Sequence, residues 1–185
     1  MTEKKQILFI HTGGTQKNGT GSCSLVDYLR ESLGKGYEIV FPEMPDPENP
    51  AYRRWKMKLH HELDALSDEV ILIGHSLGGS VLLKYLSEEK CDKKIHGLFI
   101  IAAPYWGKSN WKADEFTLRE NFGTTLPGID HTFLYHCTYD EVVPIDHLAV
   151  YSYKLPQAEI RECDSGGHLF SGGNPDLITD IINIK

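Results

Sequence analysis

One serine in this 185-residue chain stands in a context that can make it a nucleophile. Residues 70–79 read VILIGHSLGG, where Gly74, Ser76 and Gly78 fit the pattern G-x-S-x-G between an apolar strand and a helical segment. In such a turn the serine hydroxyl lies at the amino terminus of the helix, whose positive end favours negative charge developing nearby. A glycine-rich turn whose serine has no chemical role could also match the pattern, but here the strand before the turn and the helix after it fit as well. We therefore interpret Ser76 as the nucleophile of an acyl-transfer reaction.

A serine nucleophile needs a base, and the base needs an acid that orients it. With this type of turn the expected chain order is serine, acid, histidine, with the last two on loops after later strands. Asp140 follows the apolar segment FLYH, and His168 follows AEIREC. Glu141 and Asp146 are the alternatives to Asp140 as the acid. His168 is preferred over the other eight histidines because it follows two glycines and precedes the final helical segment.

A glycine-rich stretch at 11–22, HTGGTQKNGTGS, follows the first apolar run and could present backbone N–H groups to an anion. It does not fit a P-loop, because Thr20 stands where a lysine is required. It does not fit a dinucleotide-binding fingerprint either, because Ser24 takes the place of the third glycine. A zinc protease motif that begins at residue 61 fails because Ala65 replaces its second histidine. We predict an oxyanion loop in the front half, 11–14, and a mobile rim of the pocket at 15–21.

The elements that must position these residues follow from the hydrophobic pattern. Apolar, β-branched segments alternate with helical patterns, which predicts an α/β fold with a mostly parallel sheet of about six strands and helices on both faces. The candidate strands are residues 6–10, 38–41, 69–73, 97–102, 132–136 and 158–162. The first candidate helix follows Ser22 or Ser24 and reaches about Leu33. The second has Asn49 as N-cap and Pro50 as first residue. The third follows Ser76, and the last runs from Pro175 to about Ile182. The three reactive residues should therefore meet at the carboxyl edge of the sheet.

The chain is predicted to be a single domain, residues 1–185, with a short lid-like insertion at about 104–129. The insertion contains Trp106, Trp111, Phe116 and Phe122, which could line a substrate pocket or pack the insertion onto the domain. We expect a pocket to which His75, Trp106, Trp111 and Phe116 contribute.

The composition limits the classes of partner and the cellular location that we expect for this chain. A formal net charge of −7 argues against a nucleic-acid-binding surface, no segment has transmembrane length, and the first apolar run is too short for a signal peptide. The cysteines form no C-x-x-C pair and are interpreted as free buried thiols in a reducing compartment: Cys23, Cys91, Cys137 and Cys163. We expect a cytoplasmic protein that acts on a small-molecule acyl substrate without a metal or organic cofactor, without nucleic acid and without a membrane. A protein partner is compatible with the sequence but not indicated by it.

Together these residues resemble the α/β-hydrolase superfamily, and most of all its compact branch of small serine hydrolases, which contains the retinoblastoma-binding serine hydrolase and its bacterial relatives. The matching pieces are I-H-T-G-G at 10–14, M-P-D-P…W at 44–55, G-H-S-L-G-G at 74–79, D-E-V-V-P at 140–144 and G-G-H at 166–168. The resemblance implies a carboxylesterase-like activity on an undefined acyl substrate. It also implies a sheet shortened at its front, so that the first strand leads into the oxyanion loop.

The loop departs from the superfamily pattern at Thr12, which replaces the glycine that often follows the histidine. We expect the N–H groups of Leu77 and Gly13 to bind the oxyanion, with Thr12 as the second choice. Two other classes of function stay open. The chain could be a low-turnover binding or scaffold protein that keeps the hydrolase fold, or it could hydrolyse an amide, a thioester or a C–C bond with the same triad.

Overall fold

The computed structural model describes residues 4–17, 19–108 and 110–184. Its centre is one sheet of six strands in the order β2-β1-β3-β4-β5-β6, and every neighbouring pair is parallel. The strands are β1 (Lys5–Ile10), β2 (Tyr37–Val40), β3 (Glu69–His75), β4 (Lys94–Ile101), β5 (Ile129–Cys137) and β6 (Glu159–Cys163). The predicted α/β fold with about six strands is confirmed, and the sheet is parallel throughout rather than mostly so.

Helices cover both faces of the sheet, as predicted. They are α1 (Cys23–Leu33), α2 (Tyr52–Ala65), α3 (Leu77–Glu88), α4 (Phe122–Thr125), α5 (Asp146–Lys154) and α6 (Pro175–Asn183). Helices α1 and α6 pack on one face, and α2, α3 and α5 pack on the other. Successive residues of β1 alternate between the two cores: Ile7 and Phe9 face α1 and α6, whereas Leu8 and Ile10 face the opposite side. Burial on both faces explains why the central strands are apolar throughout.

Helix α2 begins later than the sequence pattern predicted. Asn49 was expected to be its N-cap and Pro50 its first residue, but the helix begins at Tyr52, and Ala51 is extended. The Tyr52 N–H donates to the Glu115 carboxylate at 2.7 Å. An acidic side chain from the distant insertion thus provides a hydrogen-bond acceptor at the start of this helix.

Helix α5 was absent from the predicted elements. Its sequence, DHLAVYSYK, carries a β-branched residue and two tyrosines, which favour a helix only weakly. Its N-cap residue, Ile145, has no side-chain acceptor. Packing stabilises it instead, since Leu148 and Tyr151 are buried in the core beside α3 and the insertion.

The insertion between β4 and β5 contains a 3₁₀ turn at Asp114–Phe116 and the short helix α4. Phe116 and Phe122 are buried in the core on the α3 side of the sheet. Ser109 lies outside the described residues.

The described part of the chain contains no helix that is long and apolar enough to cross a membrane. The four cysteines are free thiols. Cys137 and Cys163 are buried neighbours on β5 and β6, but Cys23 and Cys91 are only half-buried, so the prediction of burial is right for two of the four. Burial raises the pKa of Cys137 to about 12, which keeps this thiol protonated and unreactive. The cytoplasmic location stays a prediction.

Candidate active site

Ser76 lies in the sharp turn between β3 and α3. It adopts φ 53° and ψ −118°, a conformation that is strained for a residue with a side chain. Its N–H donates to the Ile101 carbonyl at 2.7 Å, which ties the turn to the end of β4. The surrounding structure thus holds the strained residue at the carboxyl edge of the sheet.

Glycines at two positions of the motif allow this turn to pack closely. A Cβ atom at Gly74 would lie 2.6 Å from the Gly79 Cα, and one at Gly78 would lie 2.1 Å from the Ile10 carbonyl oxygen. The second contact shows that the first turn of α3 packs directly against the end of β1. The glycines of G-x-S-x-G therefore bring the nucleophile turn and the predicted oxyanion loop together.

The predicted nucleophile, base and acid lie in one chain of hydrogen bonds. The Ser76 hydroxyl is 2.9 Å from His168 Nε2, and His168 Nδ1 is 2.9 Å from Oδ2 and 3.1 Å from Oδ1 of Asp140. A carboxylate only accepts hydrogen bonds, so Nδ1 carries the ring proton and Nε2 accepts from the serine. Ser76 and His168 are 9% and 4% exposed, and the Asp140 side chain is fully buried. The geometry matches that of a nucleophile, its base and an orienting acid.

Hydrogen bonds keep the Asp140 carboxylate ionised in spite of its burial. Its Oδ1 accepts from the backbone N–H groups of Val142 (2.8 Å) and Val143 (2.7 Å). Burial raises the pKa of Asp140, but the hydrogen bonds from His168 and from these two N–H groups outweigh it and leave the pKa below its ordinary value. His136 lies next to this carboxylate: its Nε2–H donates to the Val143 carbonyl at 2.7 Å, and Nε2 is 3.4 Å from Asp140 Oδ2.

The two alternative acids hold other positions. Glu141 accepts a hydrogen bond from the His168 backbone N–H at 3.0 Å, so it anchors the loop rather than the ring. Asp146 lies in the first turn of α5, where its backbone carbonyl accepts from Lys108. The carboxylate at the imidazole is that of Asp140.

In the loop after β1, Gly13 has the N–H group that is free to bind an oxyanion. The Thr12 N–H donates to Ser22 Oγ at 3.1 Å, and the Gly14 N–H donates to the Pro47 carbonyl at 2.6 Å. Within the described residues the Gly13 N–H has no partner. Between the two donors that the sequence left open, Thr12 and Gly13, the hydrogen bonding favours Gly13.

His11 sets the orientation of the peptide that carries this N–H. Its Nε2 accepts from the Met44 N–H at 2.9 Å, so its Nδ1 carries the proton and donates to the Thr12 carbonyl at 2.6 Å. In a trans peptide the carbonyl and the following N–H point in opposite directions, so the Gly13 N–H points away from His11. A Cβ atom built on Gly13 would lie 3.5 Å from Leu77 Cδ2, which shows that the loop passes close to the start of α3.

The second predicted donor is the N–H of Leu77, the first residue of α3. The first N–H groups of a helix have no partner within the helix. For Leu77 the part of the chain that the structure describes supplies none either. Two free donors from two segments in contact thus lie beside Ser76, as an oxyanion hole requires.

In the described positions of the predicted pocket rim, 15–17 and 19–21, the side chains of Thr15, Gln16 and Thr20 make hydrogen bonds. Gln16 donates to the Gly14 carbonyl at 2.9 Å and accepts from the Ser22 N–H at 2.8 Å. Asn18 lies outside the described residues.

The prediction that His75 lines the substrate pocket is wrong. Its side chain is completely buried, with Nδ1 3.0 Å from Ser22 Oγ and Nε2 2.8 Å from the His168 carbonyl oxygen. It lies beneath the predicted base, with the two ring centroids 5.6 Å apart. Sequence reasoning missed both the buried position of His75 and its partner Ser22, which the pattern indicated only as a helix cap.

The three aromatic residues that were expected to line the pocket form a cluster. Trp106 packs against Trp111 (5.5 Å between ring centroids) and Phe116 (5.6 Å). Phe116 also contacts Tyr52 of α2, and Trp111 contacts His147 of α5. These contacts favour the alternative in which the aromatic residues pack the insertion onto the domain. Their contribution to a pocket stays a prediction.

A concavity of about 440 Å³ lies on the opposite side of the molecule. Its lining includes Gln6, Glu69 and His96, which belong to the amino-terminal halves of β1, β3 and β4. Ligands of open parallel sheets bind at the carboxyl ends of the strands, where Ser76 lies. We therefore do not assign this concavity to the substrate.

The family model described as serine hydrolase matches residues 31–172, which is most of the chain. The chain belongs to the serine hydrolase family. Members of this family are hydrolases, and we refer to the protein below as this serine hydrolase. No curated protein sequence matches the chain significantly.

Solved structures extend the similarity over the whole fold. The ydeN gene product of B. subtilis has a TM-score of 0.80 at 18% identity, with 98% of each chain covered. A variant of the meta-cleavage product hydrolase CumD has a TM-score of 0.73 at 15% identity over 97% of this chain and 90% of that one. MGS-MChE2, an α/β hydrolase from a lagoon sediment metagenome in Morocco, has a TM-score of 0.69 at 21% identity over 97% and 89%. At these identities the similarity establishes the α/β-hydrolase fold.

Proposed function

We propose that this serine hydrolase is carboxylesterase-like and cleaves small acyl esters through an acyl-enzyme on Ser76. The observation that carries the proposal is the hydrogen-bonded chain of Ser76, His168 and Asp140 beside two free backbone N–H groups. Each part has a use in acyl transfer and little purpose otherwise, since the turn at Ser76 is strained and the Asp140 carboxylate is buried.

The proposed reaction follows from the positions of the protons. Ser76 Oγ attacks the acyl carbonyl as its proton moves to His168 Nε2, and Asp140 stabilises the imidazolium that forms. The N–H groups of Leu77 and Gly13 bind the oxyanion of the tetrahedral intermediate. When the intermediate collapses, the C–O bond to the leaving alcohol breaks and that oxygen takes the proton from His168. Water then attacks the acyl-enzyme, gives a proton to His168, and the acid leaves as Ser76 regains its proton.

Short acyl groups are the proposed substrates. The insertion between β4 and β5 is short, and its aromatic side chains contact one another and the domain. One structural neighbour is named as a meta-cleavage product hydrolase, and one fold can serve several reactions. The bond that is cleaved must therefore be tested directly.

A panel of p-nitrophenyl esters with two, four, eight and twelve acyl carbons tests the proposal, alongside a matched anilide and a matched thioester. We expect kcat/KM to be highest for the two shortest esters and to be lost in Ser76→Ala. The control is Ser80→Ala, which removes another buried hydroxyl of the same helix, one that donates to the Pro104 carbonyl. Faster turnover of the anilide or thioester would replace the ester assignment. Wild-type rates equal to those of Ser76→Ala on every substrate would instead favour the low-turnover binding protein.

A further inference from the structure

Ser22 occupies a helix-capping position but does not cap the helix. It is the N-cap residue of α1, yet its side chain makes no capping hydrogen bond. Its Oγ instead lies 3.1 Å from the Thr12 backbone nitrogen and 3.0 Å from His75 Nδ1. The side chains of Ser22 and His75 are both fully buried. A hydroxyl that would ordinarily stabilise the start of its own helix is thus used between two other segments.

Only one arrangement of protons satisfies these contacts. His75 Nε2 lies 2.8 Å from the His168 carbonyl oxygen, which can only accept, so Nε2 carries a proton. Burial, and after it the neighbouring His168 ring, lowers the pKa of His75 to about 3, so the ring holds no second proton. Nδ1 therefore accepts from the Ser22 hydroxyl, and the same oxygen accepts from the Thr12 N–H. The hydrogen bonds run in one direction, from Thr12 through Ser22 and His75 to the His168 backbone.

The two ends of this bridge are the two loops of the proposed active site. At one end the Thr12 N–H is held by Ser22 and the Thr12 carbonyl by His11, which together fix the peptide that carries the Gly13 N–H. At the other end the His168 carbonyl is held by His75 and the His168 N–H by Glu141. Within the described residues, the side chains of Ser22 and His75 make no hydrogen bond to the Ser76 hydroxyl or to the His168 ring nitrogens.

We propose that Ser22 and His75 are positioning residues that hold the oxyanion loop and the His168 loop in a fixed relation to each other. The proposal rests on the acyl transfer proposed above, because that reaction needs the Gly13 N–H and His168 Nε2 at fixed distances from the same carbonyl group. A one-ångström displacement of either loop would misplace the oxyanion or the proton acceptor. Neither residue touches the reacting atoms.

Kinetics of single and double variants test the bridge. In Ser22→Ala the buried Thr12 N–H loses its acceptor, and in His75→Phe, which keeps a ring of similar shape, the His168 carbonyl loses its donor and the Ser22 hydroxyl its acceptor. We expect each variant to lower kcat by about tenfold while KM changes by less than about threefold. The double variant should lose much less than the product of the two single losses, because both residues act through one chain of contacts. Ser80→Ala, the matched buried hydroxyl, should leave kcat within about twofold of wild type.

A second measurement does not depend on turnover. In ¹⁵N-labelled protein, Ser22→Ala is expected to shift both the Gly13 backbone amide resonance and the His168 ring resonances, whereas Ser80→Ala should shift neither. If these shifts occur in a protein that hydrolyses no ester and does not react with a fluorophosphonate at Ser76, the proposed function is wrong but the coupling of the two loops is supported. If Ser22→Ala behaves like Ser80→Ala in both kcat and spectra, the bridge has no positioning role.

Discussion

Replacing Asp140 by asparagine isolates the electrostatic and tautomeric role of the proposed acid. The asparagine side chain has nearly the same shape, and its carbonyl oxygen can still accept from the Val142 and Val143 N–H groups, which lie 2.8 and 2.7 Å from Oδ1. Its amide nitrogen then faces His168 Nδ1, where the carboxylate oxygen lies at 2.9 Å. Since that nitrogen donates and does not accept, the imidazole must place its proton on Nε2 and lose the ability to accept from Ser76.

The size of the effect follows from this change of tautomer. An equivalent substitution in a serine protease triad lowers kcat roughly ten-thousand-fold. That factor corresponds to about 5.4 kcal/mol of lost transition-state stabilisation. We expect a loss of this order for Asp140→Asn, because the side chain is fully buried and water cannot replace the missing acceptor.

The assay is kcat on the best p-nitrophenyl ester, with the fold checked by circular dichroism and urea denaturation. The matched control is Glu141→Gln, whose amide oxygen can still accept the His168 N–H that Glu141 accepts at 3.0 Å. We expect this control to remain within about fivefold of wild type, since the uncharged acceptor keeps a single hydrogen bond. A folded Asp140→Asn variant within tenfold of wild type, or a larger loss in Glu141→Gln, would refute the assignment of the acid.

Three further predictions address the turn, the loop and the buried histidines. Gly78→Ala places a Cβ atom 2.1 Å from the Ile10 carbonyl oxygen and should lower the free energy of unfolding by about 3 kcal/mol. In the control Gly36→Ala, the new Cβ atom has no neighbour within 4 Å, so the free energy of unfolding should not fall. Urea denaturation of the two variants measures the difference. Gly13→Pro removes the free N–H and should lower kcat about a hundredfold or more, whereas Gly13→Ala should retain most of the wild-type kcat. If the two variants have the same kcat, the Gly13 N–H is not an oxyanion donor. The free energy of unfolding should fall by about 4 kcal/mol between pH 7 and pH 5, because burial lowers the pKa of His75 to about 3 and of His147 to about 4. Below about pH 6.5 the two histidines bind protons in the unfolded chain but stay neutral in the folded protein, so each contributes about 1.4 kcal/mol per pH unit. A free energy of unfolding that urea denaturation finds unchanged between pH 7 and pH 5 would contradict the buried neutral state.

The central strands and the reactive residues could be predicted because their signals are local. A parallel strand buried on both faces must be apolar throughout, as residues 70–73 and 98–101 are. The turn at Ser76 needs glycines within two residues on either side, so its pattern survives in a short window of sequence. Asp140 and His168 follow strands directly, and a parallel sheet brings such positions to one edge.

The remaining features depend on contacts between distant segments, which no local pattern carries. Tyr52 begins α2 where Glu115 of the insertion supplies an acceptor, so the asparagine-proline signal at 49–50 lies before the helix rather than at its start. Helix α5 forms because Leu148 and Tyr151 meet the core, although its own residues favour a helix weakly.

Within the active site, the hydrogen bonds of Ser22 also could not be predicted from the local sequence. A serine before a helix predicts a cap, and only the folded chain places His75 and Thr12 within reach of its hydroxyl. The choice of Gly13 over Thr12 as oxyanion donor depends on the same contact, because Ser22 already accepts the Thr12 N–H.

The nucleophilic role of Ser76 is tested most directly by mass spectrometry of the intact protein after reaction with a fluorophosphonate. We predict one phosphonyl adduct per chain, located on the peptide that contains Ser76, with labelling abolished in Ser76→Ala and retained in Ser80→Ala. An unlabelled wild-type protein, or an adduct that persists in Ser76→Ala, would contradict the assignment of Ser76 as the nucleophile of this serine hydrolase.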